Sequence, residues 1–199
     1  LCKSEVGTAL MMMLNSKLKI IPLTIHVPLN RVSSMLTKRK LKGSLLKAID
    51  ELKTNFNIKK PKIAVLGLNP HAGENGAIGK EERLTIEPVI SELNNQYGAY
   101  IDGPFSADGF FGSQTFKNYD VTVAMYHDQA LIPLKLLSFF DSVNITLGLP
   151  LIRTSPGHGS AIELAKKGNA NSKSYLKAII LADNLVNSKS VFTNQKNNE

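Results

Sequence analysis

A chain of 199 residues is long enough for one or two domains around a real hydrophobic core. An apolar fraction of 43% and a charged fraction of 20% exclude a disordered or fibrous chain, and a single cysteine, Cys2, excludes a disulfide scaffold or a four-cysteine zinc site. Lys+Arg 24 against Asp+Glu 16 gives a net charge of +8, which favours anionic partners. With 7% aromatics, no Trp and no nucleic-acid-binding motif, the charge reads as background and no nucleic-acid partner is expected. No apolar run reaches the ~20 residues of a membrane helix, so no membrane partner is expected and a reducing, cytoplasmic setting is. Leu1 stands where an initiating Met is usual, so the chain is expected to be a piece of something longer.

In chain order, 4–14 reads as a helix with Ser4 as its N-cap, and the β-rich run 17–25 as a strand entering His26-Val27-Pro28. Residues 29–56 read as helical, broken at Gly43, with Leu41, Leu45, Leu46, Ile49 and Leu52 at helical spacing. The continuous apolar run in 62–68 suits a strand buried on both faces. A glycine-rich loop from Asn69 to Gly76 precedes a helix predicted over 80–97. Strands follow at 99–102 and 120–126, with a helical turn at 106–111 between them and a helix from Gln129 to Leu137 after them. Strands are expected at 141–146 and 151–154, helices at 160–167 and 172–186, and a frayed polar tail from Asn187. Alternating strands and helices predict an α/β fold with a mostly parallel sheet and flanking helices.

Three of the four histidines, His26, His71 and His127, each follow a predicted strand directly. In open α/β sheets ligands bind beyond the carboxyl ends of the strands, so these imidazoles are expected to converge on a divalent metal with open positions for substrate. An ordinary loop histidine is the alternative for each, and no HxH or HExxH spacing supports the set.

The loop glycines, Gly73, Gly76 and Gly79, match neither a dinucleotide fingerprint nor a phosphate loop, and read as letting backbone turn close to a ligand. Asp128 has two readings, orienting an imidazole or shuttling a proton, and capping the helix behind it. Lys135 either snorkels to solvent or holds an anionic group, and Arg153 either clamps a carboxylate or phosphate or makes a surface ion pair. His158-Gly159-Ser160-Ala161 resembles an adenosine-binding loop at a helix start, with His158 either stacking on adenine or standing as an exposed loop histidine.

Taken together, Leu68-Asn69-Pro70-His71-Ala72-Gly73-Glu74, Ala124-Met125-Tyr126-His127-Asp128-Gln129 and 144–155 (NITLGLPLIRTS) closely resemble the 4-hydroxythreonine-4-phosphate dehydrogenases of vitamin B6 biosynthesis. Their broader relatives are the isocitrate and isopropylmalate dehydrogenases. The resemblance implies that fold, with the first part of its two domains missing. It implies 1–155 as the metal, substrate and dimer-interface domain, 156–187 as a return into the cofactor domain, and 188–199 as a tail. It implies NAD-dependent (alternatively NADP-dependent), metal-dependent oxidation of 4-phosphohydroxy-L-threonine, followed by decarboxylation to 3-amino-2-oxopropyl phosphate. His26, His71 and His127 match the family's metal ligands. Lys135, Asn144 and Arg153 match its substrate-binding residues, and Asp108 and Asp128 its active-site carboxylates. Asn171, thirteen residues after His158, resembles the adenine-contacting asparagine of isocitrate dehydrogenases. A homodimer sharing its site between subunits is implied. Zn, Mg, Mn and Co all remain open as the metal, and Asp108, Asp128, a lysine or water as the proton acceptor.

Glu163 and Lys166 depart from the family's usual Asp and Gly, which bears on cofactor contacts. The family also carries an N-terminal region absent here, so the chain alone is expected to bind metal and turn over poorly. Two rivals stand beside this reading. One is a related dehydrogenase of another phosphorylated hydroxy acid, such as erythronate or threonate 4-phosphate, or of a diol acid. The other is a noncatalytic anion- or nucleic-acid-binding module using Lys38-Arg39-Lys40 and Lys42.

Overall fold

In the computed structural model, residues 7–158 and 171–196 are described. Seven strands among them form one sheet in the order β4-β3-β5-β2-β1-β6-β7. These are β1 (Leu10–Leu14), β2 (Lys19–Pro22), β3 (Lys62–Leu66), β4 (Tyr100–Phe105), β5 (Val121–Ala124), β6 (Val143–Leu147) and β7 (Arg153–Pro156). The helices are α1 (Val32–Met35), α2 (Lys38–Thr54), α3 (Glu87–Tyr97), α4 (Ala107–Gly112), α5 (His127–Leu137) and α6 (Lys173–Lys196). Strands β2 to β6 share one direction, while β1 and β7 run against it. The α/β expectation therefore holds, with a mixed sheet whose majority runs parallel.

Two apolar layers follow from strand alternation. Ile63 and Val65 of β3 and Val121 and Val123 of β5 meet Leu41, Leu45 and Leu52 of α2 and Val89 and Leu93 of α3. Ala64, Leu66 and Ala124 turn the other way, onto Phe110 of α4 and Ala130, Leu131 and Leu134 of α5. Covered on both faces, these central strands favour apolar residues on both sides, with the buried Thr122 of β5 the polar exception, which is why they read as nearly continuous apolar runs.

Four expectations are corrected. The run 10–14 is not helical: Leu10-Met11-Met12-Met13-Leu14 forms β1, antiparallel to β2 and β6. Met12 and Met13 are buried on opposite faces, and a short run buried all round carries no period to tell strand from helix. The helical stretch breaks before Thr37, not at Gly43. The Thr37 side chain accepts from the Lys40 N–H at 3.2 Å and caps α2, which passes through Gly43 uninterrupted. The helix after the glycine-rich loop begins with a π-turn, Glu82–Ile86. The last helix continues to Lys196, past the expected frayed tail. The helix expected over 160–167 lies outside the described residues.

A Cβ at Gly43 would meet open space, and the position is exposed within α2. Gly43→Ala is expected to raise stability by about 0.5–1 kcal/mol in urea unfolding, whereas a helix break there would give a loss.

Candidate functional site

Strands β3, β5 and β2 lie side by side and parallel, so their carboxyl ends open at one edge of the sheet. The chain leaving β2 stays attached to the chain leaving β5. The Leu23 N–H donates to Ala124 O at 2.8 Å, the Thr24 N–H to Met125 O at 3.2 Å and the Thr24 hydroxyl to Met125 O at 2.7 Å. This seam delivers His26, with φ at 49°, beside His127, their ring centroids 5.8 Å apart and their planes inclined at 42°. Both rings line a cleft of about 330 Å³ with Thr24, Val27, Tyr126 and Asp128, a volume suited to a small ligand.

His127 is the first residue of α5, and extended Tyr126 is its N-cap. Asp128 therefore lies in the first turn and does not cap the helix. Its Oδ1 lies 2.7 Å from His127 Nδ1. A carboxylate only accepts, so the neutral ring carries its proton on Nδ1 and leaves the Nε2 lone pair for a ligand. Gln129, which sequence reasoning passed over as a motif member, spans two strands. Its Oε1 accepts from the Met125 N–H at 2.7 Å and its Nε2 donates to Gly67 O at 2.9 Å. A side-chain amide in the first turn of a helix that follows a strand directly was the available signal.

His71 sits on an unusual turn. His71, Ala72, Gly73, Glu74 and Asn75 all have positive φ, between 43° and 78°. Left-handed residues normally occur singly, and of these five only Gly73 adopts the conformation without a steric penalty. His71 acts electrostatically on Asp108 of α4. The Ser106 hydroxyl first, then the Gly109 N–H and this imidazole, hold the exposed Asp108 carboxyl below the ordinary aspartate range. The three histidines thus share one sheet edge, with His26 beside His127 and His71 on the turn that follows β3. Among the described residues no three His, Cys, Asp or Glu side chains close into a metal-binding group. The donors themselves, imidazoles with carboxylates behind them, are those a divalent ion takes.

The other expected site residues lie elsewhere on the sheet. Lys135 is eight residues along α5 from His127, about 12 Å at 1.5 Å per residue, and its Nζ stands 5.7 Å from the Phe139 ring centroid. Asn144 pairs with Met13, which pairs with Ile20, so it is level with the start of β2. Its buried Oδ1 meets no donor among the described residues. Arg153 pairs with Thr146 across β6–β7 and donates to the Thr146 hydroxyl at 2.8 Å. His158 is exposed, and Asn171 Oδ1 accepts from the Lys173 N–H at 2.9 Å, at the start of α6. Gly159, Glu163 and Lys166 lie outside the described residues.

Ser106→Ala is expected to move the Asp108 titration up toward the ordinary aspartate value, read by carboxyl ¹³C shifts. Because the folded value is depressed, the contribution of Asp108 to stability is present above its unfolded pKa and lost as pH falls through the folded one. An unmoved titration would refute the hydroxyl as the main cause.

The model of the family "Pyridoxal phosphate biosynthetic protein PdxA" matches residues 2–182. A 4-hydroxythreonine-4-phosphate dehydrogenase of Prosthecochloris aestuarii is 46% identical over 182 residues, 92% of this chain and 53% of the relative. The chain spans about half the length of the curated relatives it matches. The crystal structure of the Klebsiella pneumoniae 4-hydroxythreonine-4-phosphate dehydrogenase superposes with a TM-score of 0.78 at 39% identity, covering 90% of this chain and 54% of that one. A terephthalate 1,2-cis-dihydrodioldehydrogenase from Burkholderia xenovorans LB400 superposes with a TM-score of 0.71 at 31% identity, covering 88% and 55%. The fold around the three strand-end histidines is therefore that of solved dehydrogenases, and the chain belongs to the pyridoxal phosphate biosynthetic protein PdxA family.

Proposed function

We propose that this chain is the metal- and substrate-binding half of a dehydrogenase that oxidises 4-phosphohydroxy-L-threonine. The secondary alcohol gives up a hydride to NAD and a proton to a base. The resulting 3-oxo acid loses carbon dioxide to leave 3-amino-2-oxopropyl phosphate, a step in making pyridoxal 5'-phosphate. The observation that carries the reading is the His26–His127 pair, 5.8 Å apart at the open end of adjacent parallel strands.

In this reading His26, His71 and His127 hold a divalent ion. Imidazole donors suit Zn or Co, while an oxygen-rich substrate also admits Mg or Mn. When bound, the metal supplies Lewis acidity and NAD or NADP the hydride acceptor. Asp128 fixes the His127 ring by its 2.7 Å contact. The carboxyl of Asp108, held low by Ser106 and Gly109, has a weakened proton affinity and suits holding charge. Asp108, Asp128, a lysine or water stands as the acceptor of the alcohol proton. Arg153 and Lys135 suit the anionic ends of the substrate, and the unmet Asn144 Oδ1 suits a hydrogen-bond donor from it. His158, Gly159 and Asn171 belong, on this reading, to the return into a cofactor domain over 156–187.

A homodimer follows from the same layout. Lys135 stands eight residues along α5 from His127, about 12 Å of helix rise, and its Nζ lies over the Phe139 ring. Around it α5 and the chain beyond expose Ile132, Leu136, Phe139 and Phe140, each more than half exposed. A second copy laid on this apolar surface brings one chain's Lys135 toward the other's site. Among the described residues no helix is long and apolar enough to cross a membrane, and we place the enzyme in the cytoplasm. The Burkholderia relative's name supports a second reading, a different hydroxylated acid as substrate. The nucleic-acid reading loses ground, since Lys42 is engaged by Glu92 and Lys40 is half-buried.

Titration of Zn²⁺ and Co²⁺ into the metal-free chain is expected to give binding that His71→Ala/His127→Ala abolishes. Equal binding in both refutes the histidine site. A chimera carrying the N-terminal half of the Prosthecochloris relative is expected to reduce NAD with 4-phosphohydroxy-L-threonine faster than with erythronate 4-phosphate, the reverse order favouring the second reading. Leu136→Glu is expected to shift the sizing profile from dimer to monomer.

A further inference from the structure

Glu82 is 1% exposed, and among the described residues no lysine or arginine pairs with it. A buried carboxylate is costly unless donors surround it. Three do. The Leu68 and Asn69 N–H groups donate to Oε1, each at 2.8 Å, and Asn69 Nδ2 donates to Oε2 at 2.9 Å. All three come from the chain between β3 and His71. The turn itself presses on the same group, since a Cβ on Gly73 would stand 2.5 Å from Glu82 Oε2 and 2.8 Å from Gly79 O. The neighbouring Glu81 takes the second proton of Asn69 Nδ2 at 2.9 Å and the Ser33 hydroxyl at 2.6 Å. Ser33 lies on the connection that carries His26. Two successive carboxylates thus join the His71 turn to the segment bearing His26.

We propose that Glu82 is a positioning residue: its buried carboxylate holds the left-handed turn that aims the His71 imidazole, and Glu81 ties that turn to the His26 segment. The proposal rests on reading His71 as a ligand residue, and its structural half is testable without metal. A side chain that only filled space would be replaceable by any group of its volume. One that works by accepting hydrogen bonds is replaceable only by another acceptor.

The test compares Glu82→Gln, which keeps an acceptor oxygen, with Glu82→Met, which keeps the volume alone, in the ¹⁵N-labelled chain. In Glu82→Met the Leu68 and Asn69 amides are expected to exchange at least about tenfold faster, and the ring signals of the exposed His71 to shift away from their positions in the parent. His127 and the amides of β3 and β5 stay in place. Glu82→Gln is expected to restore both. If Glu82→Met matches the parent, or Glu82→Gln matches Glu82→Met, the proposal is overturned. Where Glu82→Met loses the strand signals as well, Gly73→Ala takes its place: it pushes the turn off the carboxylate and is expected to shift His71 with β3 intact, an unshifted His71 overturning the proposal. Co²⁺ titration of a His71→Ala chain separates the two claims. A His71→Ala chain that binds Co²⁺ like the parent defeats the ligand reading, while the exchange data still decide the role of Glu82.

Discussion

The candidate site depends on the parallel pairing of β5 with β2 on one side and β3 on the other. Parallel strands in adjacent positions finish at the same edge, so whatever follows each of them is delivered to one place. Here three histidines follow. The seam from Leu23 and Thr24 onto Ala124 and Met125 extends the β2–β5 register past the strands themselves, and Gln129 bridges from the end of β5 to Gly67 beyond β3. The imidazoles are therefore placed by backbone pairing first and by side-chain contacts second. The depth of the core beneath them, apolar on both faces of β3 and β5, keeps that pairing fixed.

Much of this was legible in the sequence because buried parallel strands leave an unmistakable trace. The runs at 62–68 and 120–126 are apolar at most positions, Thr122 being the polar residue inside the second, and end abruptly in polar, histidine-bearing segments. The run at 10–14 is equally apolar but lies between antiparallel neighbours, and nothing in Leu10-Met11-Met12-Met13-Leu14 distinguishes that setting from a buried helix. Gly43 misled for the opposite reason: a glycine weakens a helix without ending it when flanking residues bury a strong apolar stripe and a threonine caps the start. At the site, the sequence showed which side chains bear chemistry, and chain order showed that they leave neighbouring strands. It did not show that Glu82 would be buried, because an acid beside Lys80 and Glu81 reads as solvent-exposed until the turn that supplies its donors is known.

The layout also separates two kinds of work. Side chains suited to a metal sit at the carboxyl edge of the sheet, whereas Lys135 and Asn144 lie toward the other end of α5 and of β6. Under the function proposed above, a second copy would bring the two sets together.

The six consecutive residues of positive φ from His71 to Gly76 have a consequence beyond the site. Their conformation is close to the mirror image of an ordinary helical turn, and four of them are L-residues to which it is foreign. For a D-residue the same backbone angles are the comfortable ones. In a chain made by chemical synthesis, replacing Ala72 with its D-enantiomer would remove a steric penalty and leave composition, charge and volume unchanged. At this one turn, chirality becomes a variable in its own right.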